Sequence, residues 1–351
     1  MFDEITTEWL TDVLSQQYGR ERVAVKDVTI QLVKTLSYST VARLKVEYSN
    51  LDCSFPNDFF IKITPGSNND AHTMHIGKSE VEFYSYVGKA MSCPPLVRCF
   101  GTAYDVDTGR SHILMEDLSS THSQPEQDQP PSEELTVIAV EALAKAHTVW
   151  WNSTELGHTV GKLFDREMLN RFIKDLDTSV SGFIDRSGVD LTSFQHEAYR
   201  LMLKNASRIW GRLMDPTNLT VTHGDCHWWN LLYPNDLFAD TVRIFDWHLW
   251  HVDLGARDLA FLLALGGYAE PRPGLEERLL KSYCNTLISN GVSNYSFGQL
   301  LVDYRWSAIR NLNIPVIFWS QGKHDTTWRS ALMRATASFD RLQCLELLLD
   351  S

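Results

Sequence analysis

The sequence predicts an α+β protein of two lobes, in which a small antiparallel sheet with one main helix precedes a larger, mainly helical part. Alternating apolar and polar residues, typical of strands, cluster in the first third of the 351-residue chain. The segment from Ser119 to Pro131 is rich in Ser, Gln and Pro, and helical periodicity dominates after it. We therefore expect one lobe over residues 1–117 and a second over residues 118–351, joined by a surface linker.

The first lobe is predicted to open with a helix from Thr6 to Gln17, because Leu10, Val13 and Leu14 recur at helical spacing. The clearest strand is Val41–Tyr48, which alternates between an apolar face and a mostly charged one. Further strands are expected around residues 28–33, 59–63, 98–103 and 112–116, with the main helix over residues 74–91.

Helical patterns dominate the second lobe. Ser132 can cap its first helix, which opens with Glu133 and Glu134, because negative charge suits the positive end of a helix dipole. Further helices are expected across residues 165–213, 256–266, 274–290, 297–311 and 326–349.

Charge and cysteine usage narrow the class of protein. The chain has 32 Lys and Arg against 44 Asp and Glu, a net charge of −12, which makes nucleic acid a poor partner. The six cysteines form no CxxC pair, which favours reduced thiols in the cytoplasm. The chain carries neither a signal-peptide pattern at its start nor an apolar run of about 18 residues, so we expect no membrane partner.

A polar loop between two predicted strands carries the clearest chemistry. Asp225 and Asn230 lie in this loop, five positions apart, and Asp246 ends the following strand. Metal-assisted phosphoryl transfer needs such a set. One carboxylate accepts the proton of the attacking hydroxyl, while an amide oxygen and a second carboxylate hold Mg²⁺ against the nucleotide phosphates.

The loop sequence His223-Gly224-Asp225, followed by Asn230, resembles the signature of aminoglycoside phosphotransferases and of choline kinase-like and ecdysteroid kinase-like small-molecule kinases, which are relatives of the protein kinases. Asp246-Trp247 with Gly255 and Asp258-Leu259-Ala260 resembles their second motif.

This resemblance implies a bilobal, protein-kinase-like fold with ATP and Mg²⁺ as cofactors. It implies that Asp225 is the catalytic base, that Asn230 and Asp246 are metal ligands, and that His223 and Asp258 support the loop.

Lys62 is a second, independent clue. It lies inside an apolar strand, where a charge needs an anion to offset its desolvation. Glu80 recurs at helical spacing with Phe83, Tyr84 and Val87, so it should face inward from the following helix and supply that anion. The pair resembles the strand lysine and helix glutamate with which these families position the α- and β-phosphates.

Nucleotide contacts are expected at two further places. The segment leaving the fifth strand resembles the interlobe hinge, which implies that the backbone of Glu116 and Leu118 pairs with adenine. The family's glycine-rich phosphate loop is missing, because residues 35–40 contain no glycine. The hydroxyls of Ser39 and Thr40, with that of Ser37, are the candidates to replace it.

Other interpretations of these residues stay open. A turn between strands also uses Asp and Asn to cap its own backbone, and a strand lysine also extends to water. His223, Asp225 and His227 form a possible zinc set for a metal-dependent hydrolase. A catalytically silent kinase-like binding protein would keep the lobes without the chemistry.

Only twelve positions separate Asp246 from Asp258, which leaves no room for the long segment that docks peptides on protein kinases. The sequence therefore predicts an enzyme that moves the γ-phosphate of ATP to a hydroxyl of a small-molecule alcohol. The aromatic side chains expected to wall the acceptor pocket are those of Trp228, Trp229, Trp247, Trp250, Trp306, Trp319 and Trp328, with Asp253, Asp303 and Asp325 as candidate polar contacts.

Overall fold

A computed structural model describes residues 4–19, 23–49, 55–66, 71–91, 95–126, 130–267, 272 and 274–349. The chain divides into two compact units. The first comprises Met1–Gln124 together with Leu231–Trp250, and the second comprises Pro125–Asn230 together with His251–Ser351. The first unit thus runs past the expected boundary at Asp117 and also takes in a later segment that ends just after Asp246.

The first unit begins with helix α1, Thr7–Tyr18, as the apolar spacing predicts. The hydroxyl of Thr6 accepts a hydrogen bond from the backbone N–H of Trp9 at 3.1 Å and so caps the first turn. Leu10 and Leu14 of this helix are fully buried against the sheet that follows.

Among the described residues, this sheet has five antiparallel strands, β1 Val25–Thr35, β2 Thr40–Tyr48, β3 Asp58–Thr64, β4 Cys99–Tyr104 and β5 Ser111–Glu116. Their order in the sheet is β1-β2-β3-β5-β4, so β3 is the central strand. Phe59, Ile61 and Ile63 of β3 pack into the core beneath α1. Because side chains alternate along a strand, Lys62 lies on the opposite face.

Helix α2, Ala71–Glu82, continues into a π-type turn over Phe83–Val87 and a 3₁₀ turn over Gly88–Ala90. The sequence predicted one uninterrupted helix over residues 74–91. The buried residues Glu80, Phe83, Tyr84 and Val87 keep α-helical spacing, so their pattern does not reveal the π-type turn. Turns of this kind are frequent at functional sites.

The remaining strands of the described residues form two small sheets. In the first unit β6, His122–Ser123, pairs with β8, Leu231–Pro234, which pairs with β9, Arg243–Ile244. The expected linker from Ser119 to Pro131 is therefore a strand at this point, where the ring of buried His122 bonds the carbonyl of Thr241 at 3.0 Å. The Ser, Gln and Pro content of a segment indicates a loop, and it cannot show that two of its residues pair with a strand distant in the sequence. In the second unit β7, Leu219–Thr222, pairs with β10, His251–Leu254.

The helices of the second unit within the described residues are α3 Glu133–Trp150, α4 Arg166–Arg186, α5 Ser193–Lys204, α6 Ala206–Gly211, α7 Gly255–Leu259, α8 Leu275–Ser289, α9 Phe297–Arg310, α10 Ile314–Ser320, α11 Asp325–Arg341 and α12 Cys344–Leu349. Ser132 caps α3 through a bond from the N–H of Leu135, as predicted. Helix α10 was not predicted, because its seven residues are too few to show a clear repeat. These elements confirm the α+β class.

Four cysteines, Cys99, Cys226, Cys284 and Cys344, carry free thiols. Cys53 and Cys93 lie outside the described residues. None of the helices in the described ranges is both long and apolar enough to cross a lipid bilayer.

A buried ion pair fixes strand β10 of the second unit. Asp253 is fully buried, and its two carboxylate oxygens accept from the guanidinium of Arg310 in α9 at 2.8 and 2.5 Å. Burial alone would raise the pKa of Asp253, but Arg310 outweighs it and holds that pKa well below its usual range. Asp253 therefore stays charged, and its charge is compensated by the guanidinium of Arg310.

Removing one partner should destabilise the fold strongly. We expect Arg310→Met to lower the free energy of unfolding by about 3–5 kcal/mol in urea denaturation, because Asp253 is left as an unpaired buried charge. Arg171→Met is the matched control, since this exposed residue lies 3.9 Å from Glu167 on the surface of α4 and should change stability by under about 0.5 kcal/mol. Equal losses in the two variants would contradict the account of this ion pair.

Candidate active site

The predicted site residues come together in two groups, one in each unit. In the first unit, the ammonium of Lys62 lies between two carboxylates. Its Nζ is 2.7 Å from Oε2 of Glu80 and 2.5 Å from Oδ1 of Asp246. Glu80 faces inward and is almost fully buried, whereas Glu82 is exposed, as the helical spacing predicts. One strand, one helix and the segment after β9 thus each contribute one charge.

The electrostatics of this group keep the lysine charged. Burial works to lower the pKa of Lys62, but Glu80 and Asp246 outweigh it and raise that pKa above its ordinary value. Burial also works to raise the pKa of Asp246, but Lys62 and His248 together outweigh it and lower that pKa. Glu80 differs, because burial raises its pKa in spite of Lys62. Its Oε1 is buried without a hydrogen-bond partner in the described part of the chain.

Asp246 has an unusual backbone. Its φ of 66° and ψ of 52° lie in the left-handed region, which costs a residue with a Cβ roughly 1–2 kcal/mol. His248 bonds back to it, with Nδ1 at 2.8 Å from Oδ1. Non-glycine residues in this conformation cluster at functional sites, where surrounding contacts hold them.

Aromatic contacts tie helix α2 to the segment after Asp246. The rings of Phe83 and Trp247 stack with centroids 4.2 Å apart and planes 7° apart. The indole N–H of Trp250 donates to the carbonyl of Ser79 at 2.8 Å. These contacts hold the helix that bears Glu80 beside the segment that bears Asp246. Trp247 is fully buried in this packing, so its expected place in the wall of an acceptor pocket is wrong.

In the second unit, Asp258 organises the loop before Asp225. Its carboxylate accepts the backbone N–H groups of His223 at 2.6 Å and Gly224 at 3.0 Å. Gly224 has a φ of 82°, which favours glycine. The ring of His147 reaches Oδ2 of Asp258 at 3.1 Å and the hydroxyl of Tyr283 at 2.7 Å. Burial works to raise the pKa of Asp258, but His147 and the backbone N–H of His223, with the charge of that residue, together outweigh it and lower that pKa.

Asn230 folds the loop back onto Asp225. Its side-chain N–H donates to the backbone carbonyl of Asp225 at 2.9 Å and to Oδ2 at 3.4 Å. The ring of His227 lies 3.4 Å from the same oxygen. The side chain of Asp225 is 26% exposed, so its carboxylate is accessible to solvent.

These residues suit magnesium better than zinc. Within the described ranges, no group of three or more His, Cys, Asp or Glu side chains is placed to hold a metal ion, and this includes the possible zinc set of His223, Asp225 and His227. Because Asn230 donates through its nitrogen, its amide oxygen remains for a cation. Asp246 receives its hydrogen bonds at Oδ1, which leaves Oδ2. An amide oxygen and a carboxylate oxygen are donors that Mg²⁺ accepts.

Of the two expected adenine contacts, Glu116 is the last residue of β5 and Leu118 lies two residues beyond it. The N–H of Glu116 donates to the carbonyl of Arg98 at 3.0 Å, and its Oε1 accepts from the N–H of Arg98 at 2.8 Å. The carbonyl of Leu118 accepts from the N–H groups of Thr121 and His122 at 3.0 and 2.8 Å. The backbone group that Leu118 can offer a base is therefore its N–H.

Ser39 and Thr40 lie where β2 begins, and both are buried. The carbonyl of Ser39 accepts from the N–H of Leu36 at 2.7 Å and closes the turn between β1 and β2. A backbone bond thus gives this glycine-free turn its shape.

Sequence reasoning missed two partners of the predicted residues, His248 and Arg310. The two-residue spacing of Asp246 and His248 does not by itself predict the first, because His227 follows Asp225 at the same spacing and stays at 3.4 Å. No spacing links Arg310 to Asp253, which lie 57 positions apart. Because Arg310 occupies both oxygens of Asp253, the expected role of Asp253 as a substrate contact is wrong.

Comparison with known proteins gives a family match and a fold match. A model of the ecdysteroid kinase-like family matches residues 37–291. No curated protein matches the chain. Solved structures align over nearly the whole length of the chain. One of them is a protein of Ralstonia eutropha assigned to the aminoglycoside phosphotransferases. It is 14% identical to this chain, the alignment covers 95% of this chain and 98% of that one, and the TM-score is 0.57.

Two further structures agree. A microcompartment-associated aminopropanol kinase has 15% identity, covers 95% of this chain and 97% of its own, and gives a TM-score of 0.55. The ADP-bound aminoglycoside phosphotransferase APH(2'')-Ib has 12% identity, covers 94% of this chain and 98% of its own, and gives a TM-score of 0.52. At these identities the similarity shows the fold, and it confirms the kinase-like class that the motifs predicted.

The role of Asp258 in shaping the loop can be tested through stability. We expect Asp258→Asn to lower the free energy of unfolding by about 1.5–3 kcal/mol. The carboxylate accepts two backbone N–H groups, whereas an amide has one acceptor oxygen and would turn its N–H₂ toward the other backbone donor. Hydrogen exchange at the amides of His223 and Gly224 should accelerate in the same variant. Asp190→Asn, at an exposed position, is the control. Unchanged exchange at both amides would contradict the assignment.

Proposed function

The chain belongs to the ecdysteroid kinase-like family, and from this membership we propose that it transfers the γ-phosphate of ATP to a hydroxyl of a small molecule, with Mg²⁺ as cofactor. The observation that carries the proposal is the position of Lys62, whose ammonium binds both Glu80 and Asp246. A buried lysine between two acids, at positions that resemble the family's motifs, is suited to a polyphosphate ligand.

In the proposed reaction Lys62 binds the α- and β-phosphates. Glu80 holds the ammonium from the helix side, so that the lysine is oriented before the nucleotide arrives. Phe83 keeps that helix in place by stacking on Trp247. ADP bound to APH(2'')-Ib and GDP bound to aminoglycoside 2'-phosphotransferase-IIIa support a purine nucleotide as the ligand of this chain.

Asn230 and Asp246 are the proposed ligands of Mg²⁺, through the oxygens left over from their internal hydrogen bonds. When bound, the cation would neutralise charge on the phosphates. The negative charge of Asp246 is secured by Lys62, which lowers the pKa of the carboxyl group.

Asp225 is the proposed base. Its carboxylate would orient the acceptor hydroxyl and take up the proton as the oxygen attacks phosphorus. Two side chains hold the loop in position for this role. Asp258 accepts the N–H groups of the two residues before Asp225, and Asn230 donates to the carbonyl of Asp225.

A small acceptor is supported by the segment between Asp246 and Asp258. A 3₁₀ turn over Trp247–Leu249, strand β10 and the first residues of α7 account for nearly all of it. No residues remain for a peptide-docking segment. We therefore propose a small-molecule alcohol as substrate, with no nucleic acid or membrane partner. The free thiols of the described cysteines support a reducing, cytoplasmic setting.

Two substitutions separate turnover from binding. Asp225→Asn should lower turnover about 10²–10⁴-fold while MgATP still binds, because the amide cannot accept the proton. Asp246→Ala should abolish the Mg²⁺ dependence of ATP binding. Calorimetric titration with ATP, with and without Mg²⁺, measures binding, and phosphate transfer to a panel of small alcohols measures turnover. Asp175→Asn, exposed on α4, is the control.

The same measurements test the alternative of a silent binding protein, which the glycine-free turn between β1 and β2 favours. A parent protein that binds MgATP but shows neither transfer nor slow hydrolysis sensitive to Asp225→Asn would support that alternative. A parent protein without any MgATP binding would contradict the proposed function itself.

A further inference from the structure

We infer that His248 is a positioning residue that orients the carboxylate of Asp246 toward Mg²⁺ by donating a hydrogen bond from Nδ1. The inference rests on the proposed function, in which Asp246 is a metal ligand. It assigns a role to a side chain outside the motif residues.

The hydrogen bonds of Asp246 are one-sided. Oδ1 receives both the ammonium of Lys62 at 2.5 Å and Nδ1 of His248 at 2.8 Å. The structure shows no hydrogen bond to Oδ2 from the described residues. Two donors on one oxygen fix the rotation of the carboxylate and leave the second oxygen to a cation. Lys62 alone does not fix that rotation, because an ammonium is a compact charge that bonds from many directions.

His248 is well held for this task. It lies in the 3₁₀ turn that follows Asp246, and its side chain is only 15% exposed. The turn itself is secured by the stacking of Trp247 on Phe83 and by the bond from Trp250 to Ser79. A rigid, planar donor two residues from the acid loses little conformational freedom when it forms the bond.

The proposed role does not depend on the charge of the ring. A neutral imidazole protonated at Nδ1 donates the same bond. What matters is a donor at that position, and an asparagine side chain can also place a nitrogen there, since its Nδ2 is the same number of bonds from the backbone as Nδ1 of histidine.

Asp225 provides a contrast with the same spacing. His227 also follows its acid by two residues, but it approaches with Nε2 at 3.4 Å, beyond the distance of a good hydrogen bond. The spacing alone therefore does not create the contact. At Asp246 the 3₁₀ turn brings Nδ1 into bonding distance.

Groups that hold metal ligands in place typically contribute 10–100-fold to metal affinity. The test compares His248→Phe, which keeps a ring without a donor, with His248→Asn, which keeps a donor without a ring. The readout is the Mg²⁺ concentration that gives half-maximal ATP binding in calorimetry, which requires no turnover. Thermal unfolding verifies that each variant is folded, and His158→Phe, at an exposed position, is the control.

We expect His248→Phe to raise the half-saturating Mg²⁺ concentration about 10–100-fold, and His248→Asn to stay within about threefold of the parent. Affinity for ATP without Mg²⁺ should stay unchanged in both, because Lys62 is still in place. If His248→Phe behaves like the parent, or if His248→Asn is as impaired as His248→Phe, the inference is overturned while the proposed function stands. If the parent shows no Mg²⁺-dependent binding, the proposed function fails and the inference fails with it.

Discussion

The burial of the Lys62 ammonium is the constraint on which the first unit depends. A buried cation on a central strand is stable only if anions reach it, and here they come from α2 and from the segment after β9. Three parts of the chain far apart in sequence are therefore held at fixed separations. The aromatic stack of Phe83 on Trp247 fixes the same arrangement by packing, so charge and apolar contact reinforce each other.

The second unit applies the same principle to a loop. Asp258 is a buried acid whose partners are two backbone N–H groups and the ring of His147, so its charge is used to shape the main chain ahead of Asp225. Asp253 with Arg310 secures the strand β10 that follows Trp250. In both units, buried acids help to position the functional carboxylates of Asp246 and Asp225, whose side chains are only partly exposed, at 28% and 26%.

The parts of this arrangement that the sequence predicts are those where one residue breaks a pattern. Lys62 interrupts an apolar strand, Glu80 interrupts the buried face of a helix, and Val41–Tyr48 alternates clearly between an apolar and a mostly charged face. The π turn after Glu82, the pairing of His122–Ser123 and the bond from His248 leave no comparable trace, because each depends on local backbone geometry or on a partner distant in the chain. The loop motif identified the family because its residues are fixed by chemistry rather than by packing.

The central claim is that Lys62, held by two acids, binds the phosphates of a nucleotide. The most direct measurement is the affinity for MgATP of the parent protein and of Lys62→Met, with Lys78→Met on the exposed face of α2 as control. We predict that the parent and the control bind alike and that Lys62→Met binds at least about tenfold more weakly, since a charge-assisted hydrogen bond contributes about 1.5–3 kcal/mol. Equal affinity in Lys62→Met and the parent would contradict it.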